Sequence, residues 1–159
     1  MIRCCLLILT IGILSACASV SVTDYTKNSP KLVLQEFFNG SLRAHGIVKD
    51  RSGKVIRYFN ASIYASWEQG VGTLEENFVF DDGGKQQRIW TIVKDDAGKY
   101  IGTANDVIGS SELKVAGNSL FLNYVLRIPY EDGTLDLNND DQMYLVYKNV
   151  LINESVMTK

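Results

Sequence analysis

The folded part of this chain has no cysteine and only one histidine. The three cysteines, Cys4, Cys5 and Cys17, all lie at the amino terminus, and His45 is the single histidine. A zinc site needs several such ligands and a disulfide needs two thiols, so neither is expected beyond residue 17. The fold is therefore expected to be held together by its hydrophobic core alone.

An excess of positive charge is also missing. The formal net charge of the chain is −2, and losing Arg3 with a cleaved leader would make it one unit more negative. Nucleic-acid-binding proteins carry basic patches, so no nucleic acid partner is expected. The chain also has no electrostatic attraction to an anionic membrane surface. Because no phosphate-cradling glycine pattern occurs, no cofactor is expected either.

The one long apolar run lies at the amino terminus. It follows Arg3 and extends from Cys4 to Leu14. About 11 residues is typical of a signal-peptide core and too short for a helix that spans a bilayer. The run closes with Leu14-Ser15-Ala16-Cys17, which resembles the lipobox of bacterial lipoproteins, in which the chain is cut before an acylated cysteine. The alternative is an ordinary cleaved signal followed by an accidental cysteine.

This interpretation divides the chain into three parts. Residues 1–16 form the signal peptide, residues 17–30 form the acylated Cys17 and its tether, and residues 31–159 form the domain. The tether should hold the domain away from the bilayer. Ala18 is small and neutral, whereas Asp at this position usually retains a lipoprotein in the inner membrane. We therefore expect an outer-membrane lipoprotein that faces the periplasm and is attached through the lipid on Cys17.

The domain has the sequence pattern of an antiparallel sheet. Lys31–Phe38 follows Ser29-Pro30 and predicts a short helical segment that plugs one end of the domain. From Ser41 onward, turn signals alternate with runs rich in β-branched and aromatic residues. This pattern indicates an all-β protein, either a sandwich or an up-and-down, lipocalin-like barrel.

Alternation along the strands assigns their faces. In Val55–Trp67 the odd-numbered residues are predicted to point inward. In Ser119–Pro129 the even-numbered residues should point inward, which leaves Phe121 outside. The run Gln142–Val156 is too evenly apolar to be assigned.

One predicted strand carries a charge toward the interior. In Thr73–Phe80, Glu76 shares a face with Phe78 and Phe80. A carboxylate inside a barrel has to be paired or hydrated, and Arg88, across the next hairpin, is the nearest candidate partner. If the hairpin pairs Phe78 with Arg88, Glu76 lies diagonal to Arg88; with the tightest turn, Arg88 points to solvent. A purely structural ion pair is the alternative to a pair that contacts a ligand.

Small inward residues suggest a cavity. Tyr100, Gly102, Ala104 and Asp106 share one face, and small side chains there leave volume that a ligand could occupy. The alternative is that this volume is filled by Trp67, Trp90 and Tyr124. The candidate ligand-binding residues are Glu76, Arg88, Trp90, Asp106, Tyr124 and Trp67.

A partial calcium-loop pattern lies near the carboxyl terminus. The segment 136–140 has alternating oxygen-bearing side chains. However, Asp141 occupies the position that needs glycine, and Tyr147 replaces the bidentate glutamate. We interpret the segment as a solvated turn and expect no metal site.

An ordered set of short motifs extends over nearly the whole domain. They are Phe38-Asn39-Gly40, Asp50-Arg51-x-Gly53, Leu74-x-Glu76-x-Phe78-x-Phe80-Asp81-x-Gly83, Arg88-x-Trp90, Tyr100-x-Gly102-x-Ala104-x-Asp106-Val107-x-Gly109, Gly117-Asn118, Asp140-Asp141 and Ile152-Asn153. The set resembles the DUF3833 family of bacterial lipoproteins, which implies a lipocalin-like barrel and no assigned activity. Two departures are Gln142, where the family usually has an aromatic residue, and the end at Lys159, where the family usually continues with another strand. The early end predicts an unpaired sheet edge.

These observations predict a lipoprotein that binds a lipid or another apolar small molecule in a barrel cavity. One alternative is an enzyme that acts on membrane lipid, with Glu76 and either Arg88 or Asp106 as catalytic groups. Another is a structural or envelope-assembly lipoprotein with a filled core and no ligand.

Overall fold

The structure is a computed structural model and describes residues 19–159. The predicted signal peptide and Cys17 lie outside the described residues. The chain forms a 3₁₀ turn (Val22–Tyr25), α1 (Leu34–Phe37), β1 (Gly40–Lys49), β2 (Val55–Glu68), β3 (Val71–Phe80), β4 (Lys85–Lys94), β5 (Tyr100–Ala104), β6 (Val107–Ile108), β7 (Ser111–Ala116), β8 (Ser119–Tyr130), β9 (Gly133–Tyr147) and β10 (Val150–Thr158). Within residues 19–159, the helices are too short or too polar to cross a membrane.

The strands form one antiparallel sheet in which chain neighbours are also spatial neighbours. The order is β1-β2-β3-β4-β5-β7-β8-β9-β10, and the short β6 pairs with β8 beside this path. The sheet curls enough for Trp90 of β4 to contact Tyr124 of β8, with ring centroids 5.2 Å apart. The predicted all-β, up-and-down architecture is confirmed. Among the described strands β1 and β10 do not pair, so the sheet is a half-barrel with two free edges.

The predicted faces of β2 and β8 are confirmed on the concave side. Ala61 and Ala65 of β2 are buried, and so is Leu120 of β8. Phe121 does lie on the convex face, but the expectation that it faces solvent is wrong. The ring of Tyr25 packs on it, with the centroids 5.8 Å apart, and buries it.

The β3–β4 hairpin follows neither of the two registers considered from the sequence. Glu76 lies directly opposite Arg88, and Phe78 lies opposite Gln86. Three residues, 81–83, lie between Phe80 and Gly84, and the amide of Phe80 donates a 2.9 Å hydrogen bond to the carbonyl of Gly84. This odd number of intervening residues pairs the even-numbered residues of β3 with those of β4, so Arg88 faces the concave side together with Glu76.

The segment before β1 closes one end of the half-barrel, as predicted. The helix is only α1, one turn within the predicted Lys31–Phe38, and its Leu34 is 1% exposed. The amide of Leu32 donates to the carbonyl of Gly117, and Nε1 of Trp67 donates to the carbonyl of Phe38. We call this the plugged end, and the opposite end the mouth.

Much of the predicted tether is packed against the sheet. Ser21 caps the 3₁₀ turn, and Val22 is buried. Tyr25 packs against Tyr144 at 5.2 Å, and its backbone crosses the β7–β8 turn at Gly117. A Cβ at Gly117 would lie 1.8 Å from the carbonyl oxygen of Tyr25, so only glycine fits there. The docked chain therefore begins at Ser21, well before the predicted start of the domain.

Candidate functional site

The concave face has three levels between the plugged end and the mouth. We call the first the packed half; it contains Ala65, Leu74, Trp90, Ile92, Leu113 and Leu120. The second is the charged layer, which contains Glu76, Arg88, Asp106, Tyr124 and Asp141. The third is the open half, which contains Arg57, Phe59, Phe78 and Phe80.

The packed half leaves no space beside its small residues. A Cβ at Gly102 would lie 2.8 Å from Cδ1 of Leu113 and 3.3 Å from the ring of Trp90. A Cβ at Gly72 would lie 2.7 Å from the ring of Trp67. Bulky neighbours thus fill the volume that the small residues suggested, and Trp67 lies at the plugged end, away from the charged layer.

Arg88 has an acidic partner, but the partner is Asp106 and not Glu76. Its Nε lies 2.9 and 3.0 Å from the two carboxylate oxygens of Asp106, and each of the two side chains is only 12% exposed. Asn105 positions this aspartate, because its side chain accepts from the amide of Ile89 and donates to the carbonyl of Gln87. The turn after β5 is thereby fastened to β4.

Tyr124 links Arg88 to a second acid, Asp141. The Tyr124 hydroxyl lies 3.4 Å from Nη1 of Arg88 and donates to Asp141 at 3.0 Å. Asp141 also accepts from the hydroxyl of Ser155 and from the amide of Asn153, both on β10. Burial, followed by the charge of Asp141, raises the pKa of Tyr124, so this phenol stays protonated and remains a donor.

Asp141 is a member of the charged layer that the sequence pattern did not predict. It belongs to β9 and is 5% exposed. The segment 136–140, which we interpreted as a solvated turn, is also part of β9, and its Asp136 pairs with Arg127 of β8. That interpretation is therefore wrong. Strand alternation was the available signal, because Asp141 shares a face with Leu145. The alternation could not be followed along β9, because the run Gln142–Val156 is too evenly apolar for its faces to be assigned from the sequence.

Glu76 makes no ion pair with Arg88, although the two lie opposite each other. Burial raises the pKa of Glu76 from 4.5 to about 7; Arg88 lowers it, whereas the charges of Asp141 and Asp106 raise it. Three carboxyl groups therefore share a single arginine. Burial, with repulsion from the like charges of Asp141 and Asp106 added to it, therefore raises the pKa of Glu76 and favours its protonated form.

The open half is lined by aromatic rings that are only half-buried. Phe59 packs on Phe78 at 5.6 Å and on Phe80 at 6.0 Å. The guanidinium of Arg57 lies 3.6 Å from the centroid of Phe80 and pairs with Asp82 at 2.8 Å. The three phenylalanine rings are therefore only partly covered by their neighbours, and an aromatic surface remains exposed at the mouth.

A cleft of about 300 Å³ opens at the mouth. Its lining includes the cationic Arg57, Lys85 and Arg127 together with Asp106 of the charged layer. A larger cleft of about 530 Å³ lies on the convex side, between outward residues such as Asn138. The mouth cleft adjoins the open half through Arg57 and Phe80 and reaches Asp106 of the charged layer, so the mouth is the stronger candidate site.

Two buried donors lack an acceptor among the described residues. They are Nε of Arg57 in the open half and Nδ2 of Asn139, a residue that is 4% exposed and lies opposite Tyr124. An unpaired buried donor costs about 1 to 3 kcal/mol. An acceptor oxygen from a bound molecule or from water would remove that cost.

The structure brings together four of the six predicted site residues in the charged layer: Glu76, Arg88, Asp106 and Tyr124. Trp90 packs on Tyr124 and so adjoins these four residues. Trp67 lies at the plugged end, where it donates to the carbonyl of Phe38. Within residues 19–159, no group of three or more His, Cys, Asp or Glu side chains is arranged to hold a metal ion.

Comparisons with known proteins identify a family without an assigned activity. No curated protein and no solved structure matches the chain. A family model described as a protein of unknown function, DUF3833, matches residues 11–159, which include every strand of the half-barrel. The chain therefore belongs to the DUF3833 family.

Proposed function

We propose that this protein is a lipoprotein of the bacterial outer membrane, facing the periplasm, which binds a lipid or another apolar small molecule in the open half of its concave face. The observation that carries the proposal is the surface of Phe59, Phe78 and Phe80. These rings face the concave side, pack on one another and stay half-buried. An apolar chain laid on them would remove that surface from water, which stabilises the complex.

The neighbouring polar groups favour a ligand that has an apolar part and an end rich in acceptor oxygens. Nε of Arg57 and Nδ2 of Asn139 are donors without partners, and Nη2 of Arg88 also makes no hydrogen bond within the part of the chain that the structure describes. The mouth adds Lys85, which forms no ion pair with another described residue. An ester, a carboxylate or a hydroxyl group would satisfy such donors.

Native mass spectrometry with lipid extraction of the purified protein tests the proposal. We expect an apolar molecule to co-purify with the wild type and to be lost, in large part, from Phe78→Ser. Val79→Ser is the matched control, because Val79 is the next residue of β3 and points to the exposed convex side. Equal ligand content in both variants, or no ligand and no uptake of added phospholipid by the wild type, would refute the proposal.

The membrane attachment is tested separately. Each acyl methylene contributes about 0.8 kcal/mol of membrane binding, and more than one chain is needed for stable anchoring. Cys17→Ser should therefore release a soluble, folded domain, whereas the wild type fractionates with the outer membrane. A variant that stayed in the membrane fraction would reject attachment through Cys17.

A second candidate function is catalysis on a membrane lipid. The observation that favours it is Glu76, whose pKa of about 7 is suited to a general acid or base at neutral pH. If the protein is an enzyme, phospholipid incubated with it would be converted to a product, and Glu76→Gln would abolish the conversion. Recovery of the bound lipid unchanged, with equal amounts from wild type and variant, would leave binding as the function.

A further inference from the structure

The β9–β10 hairpin presents an apolar tip at the plugged end. Its members are Val146, Tyr147, Val150 and Ile152, which are 46 to 70% exposed. We call this group the apolar tip. Lys148 lies within the turn between the two strands. Exposed aromatic and aliphatic side chains beside a lysine are typical of residues at a membrane–water interface.

The amino-terminal segment is docked directly beside this tip. Tyr25 packs on Tyr144, which is two residues before Val146, and its backbone crosses Gly117. Asn118, the next residue, exchanges hydrogen bonds of 2.8 and 3.1 Å with the backbone of Leu145. The start of the docked chain and the apolar tip therefore lie at the same end of the half-barrel.

The distance available to a lipid anchor is short. Ser21 is the first residue held in place by its own contacts, because it caps the 3₁₀ turn. Only three residues lie between it and Cys17, and the four steps from one Cα to the next span about 14 Å at most in a fully extended chain. An acylated Cys17 would thus hold the plugged end against the bilayer, contrary to the longer tether expected from the sequence.

We propose that the apolar tip is a membrane-contact surface, so that the half-barrel stands with its plugged end on the lipid and its mouth directed away from it. The occupant of this surface is the lipid bilayer to which Cys17 is attached. β8 runs from the plugged end to the mouth, and its 12 residues extend for up to about 40 Å. A ligand would then enter or leave the open half from the aqueous side. This inference rests on the proposed acylation of Cys17 but not on the proposed ligand.

Two exposed tyrosines provide a matched test. Tyr147 belongs to the apolar tip and is 70% exposed, and Tyr130, at the mouth end of β8, is 52% exposed. The described residues contain no cysteine, so Tyr147→Cys and Tyr130→Cys can each be labelled with a polarity-sensitive fluorophore. The full chain, with its anchor, is reconstituted in vesicles of phosphatidylethanolamine and phosphatidylglycerol that contain a nitroxide at headgroup depth.

We expect the label at Tyr147 to shift to the blue and to be quenched at least roughly twofold, because an interfacial group lies within the headgroup region. The label at Tyr130 should remain unquenched. Val150→Cys should behave as Tyr147→Cys does and replaces it if that variant folds poorly. Equal quenching at both ends, or quenching at Tyr130 alone, would overturn the proposal. An intact mass without acyl chains would also overturn it, and this result identifies the anchor as the failed step.

Discussion

The two halves of the concave face differ in how their apolar side chains are used. In the packed half, rings cover the glycines, and α1 closes the end with Leu34 at 1% exposure. In the open half, Phe59, Phe78 and Phe80 contact one another but remain half-buried, and no element lies across them among the described residues. The packed half stabilises the domain, whereas the open half leaves apolar surface exposed, and this is the surface on which we propose that a ligand binds.

A pair of leucine variants should show this difference most strongly. Leu120→Ala removes a buried side chain from the packed half and should lower the free energy of unfolding by about 4 kcal/mol. Leu137→Ala changes a half-buried residue nearer the mouth and should cost about 1 kcal/mol. Urea denaturation of both variants measures the difference. Similar losses would mean that the two halves are equally well packed.

The boundary between the halves can be tested through Asp106. Asp106→Asn leaves the largely buried Arg88 without its ion-pair partner and should cost about 3 kcal/mol. Asp136→Asn is the matched control, since Asp136 pairs with the exposed Arg127 and its loss should change little. Thermal denaturation of the two variants is the measurement. A small loss for Asp106→Asn would show that water reaches Arg88 freely.

The pH dependence of stability depends on Glu76. Because burial raises its pKa to about 7 in the folded state, the folded protein binds the proton more tightly than the unfolded chain does. The contribution of Glu76 to the free energy of unfolding is fully present below pH 4.5 and is lost as the pH rises through about 7. For a half-buried group we expect this loss to be about 2 kcal/mol. Glu76→Gln should flatten this slope and should be the more stable protein at pH 8.

Urea denaturation between pH 4 and pH 8 measures this dependence. Glu75→Gln is the control, because the neighbouring Glu75 faces the exposed convex side. If the free energy of unfolding of Glu76→Gln changed with pH as steeply as that of the wild type, another group would have to titrate between pH 4 and pH 8.

Sequence periodicity was sufficient where one face of a strand is apolar and the other is polar. It placed Glu76, Phe78 and Phe80 on the concave side of β3, and it predicted the meander of strands. It could not choose the partner of Arg88, because the two carboxylates that compete for this arginine are 30 residues apart in sequence and only the curvature of the sheet decides between them.

Two other features depend on contacts that local sequence does not show. Phe121 is buried because Tyr25, nearly a hundred residues earlier, packs on the convex face. Asp141 is buried because Tyr124 and Ser155 come from the strands on either side of it. Contacts with residues that are distant in sequence bury both side chains, and the residues next to each in sequence do not predict those contacts.

The central claim, that the open half holds an apolar ligand, is tested most directly by photolabelling. The purified protein is irradiated with a fatty acid that carries a diazirine on its chain, and the labelled residues are located by peptide mass spectrometry. We expect labels on Phe59, Phe78 and Phe80, and we expect unlabelled fatty acid to compete with the labelling. Labels confined to the convex face or to the apolar tip, or labels that unlabelled fatty acid does not reduce, would contradict it.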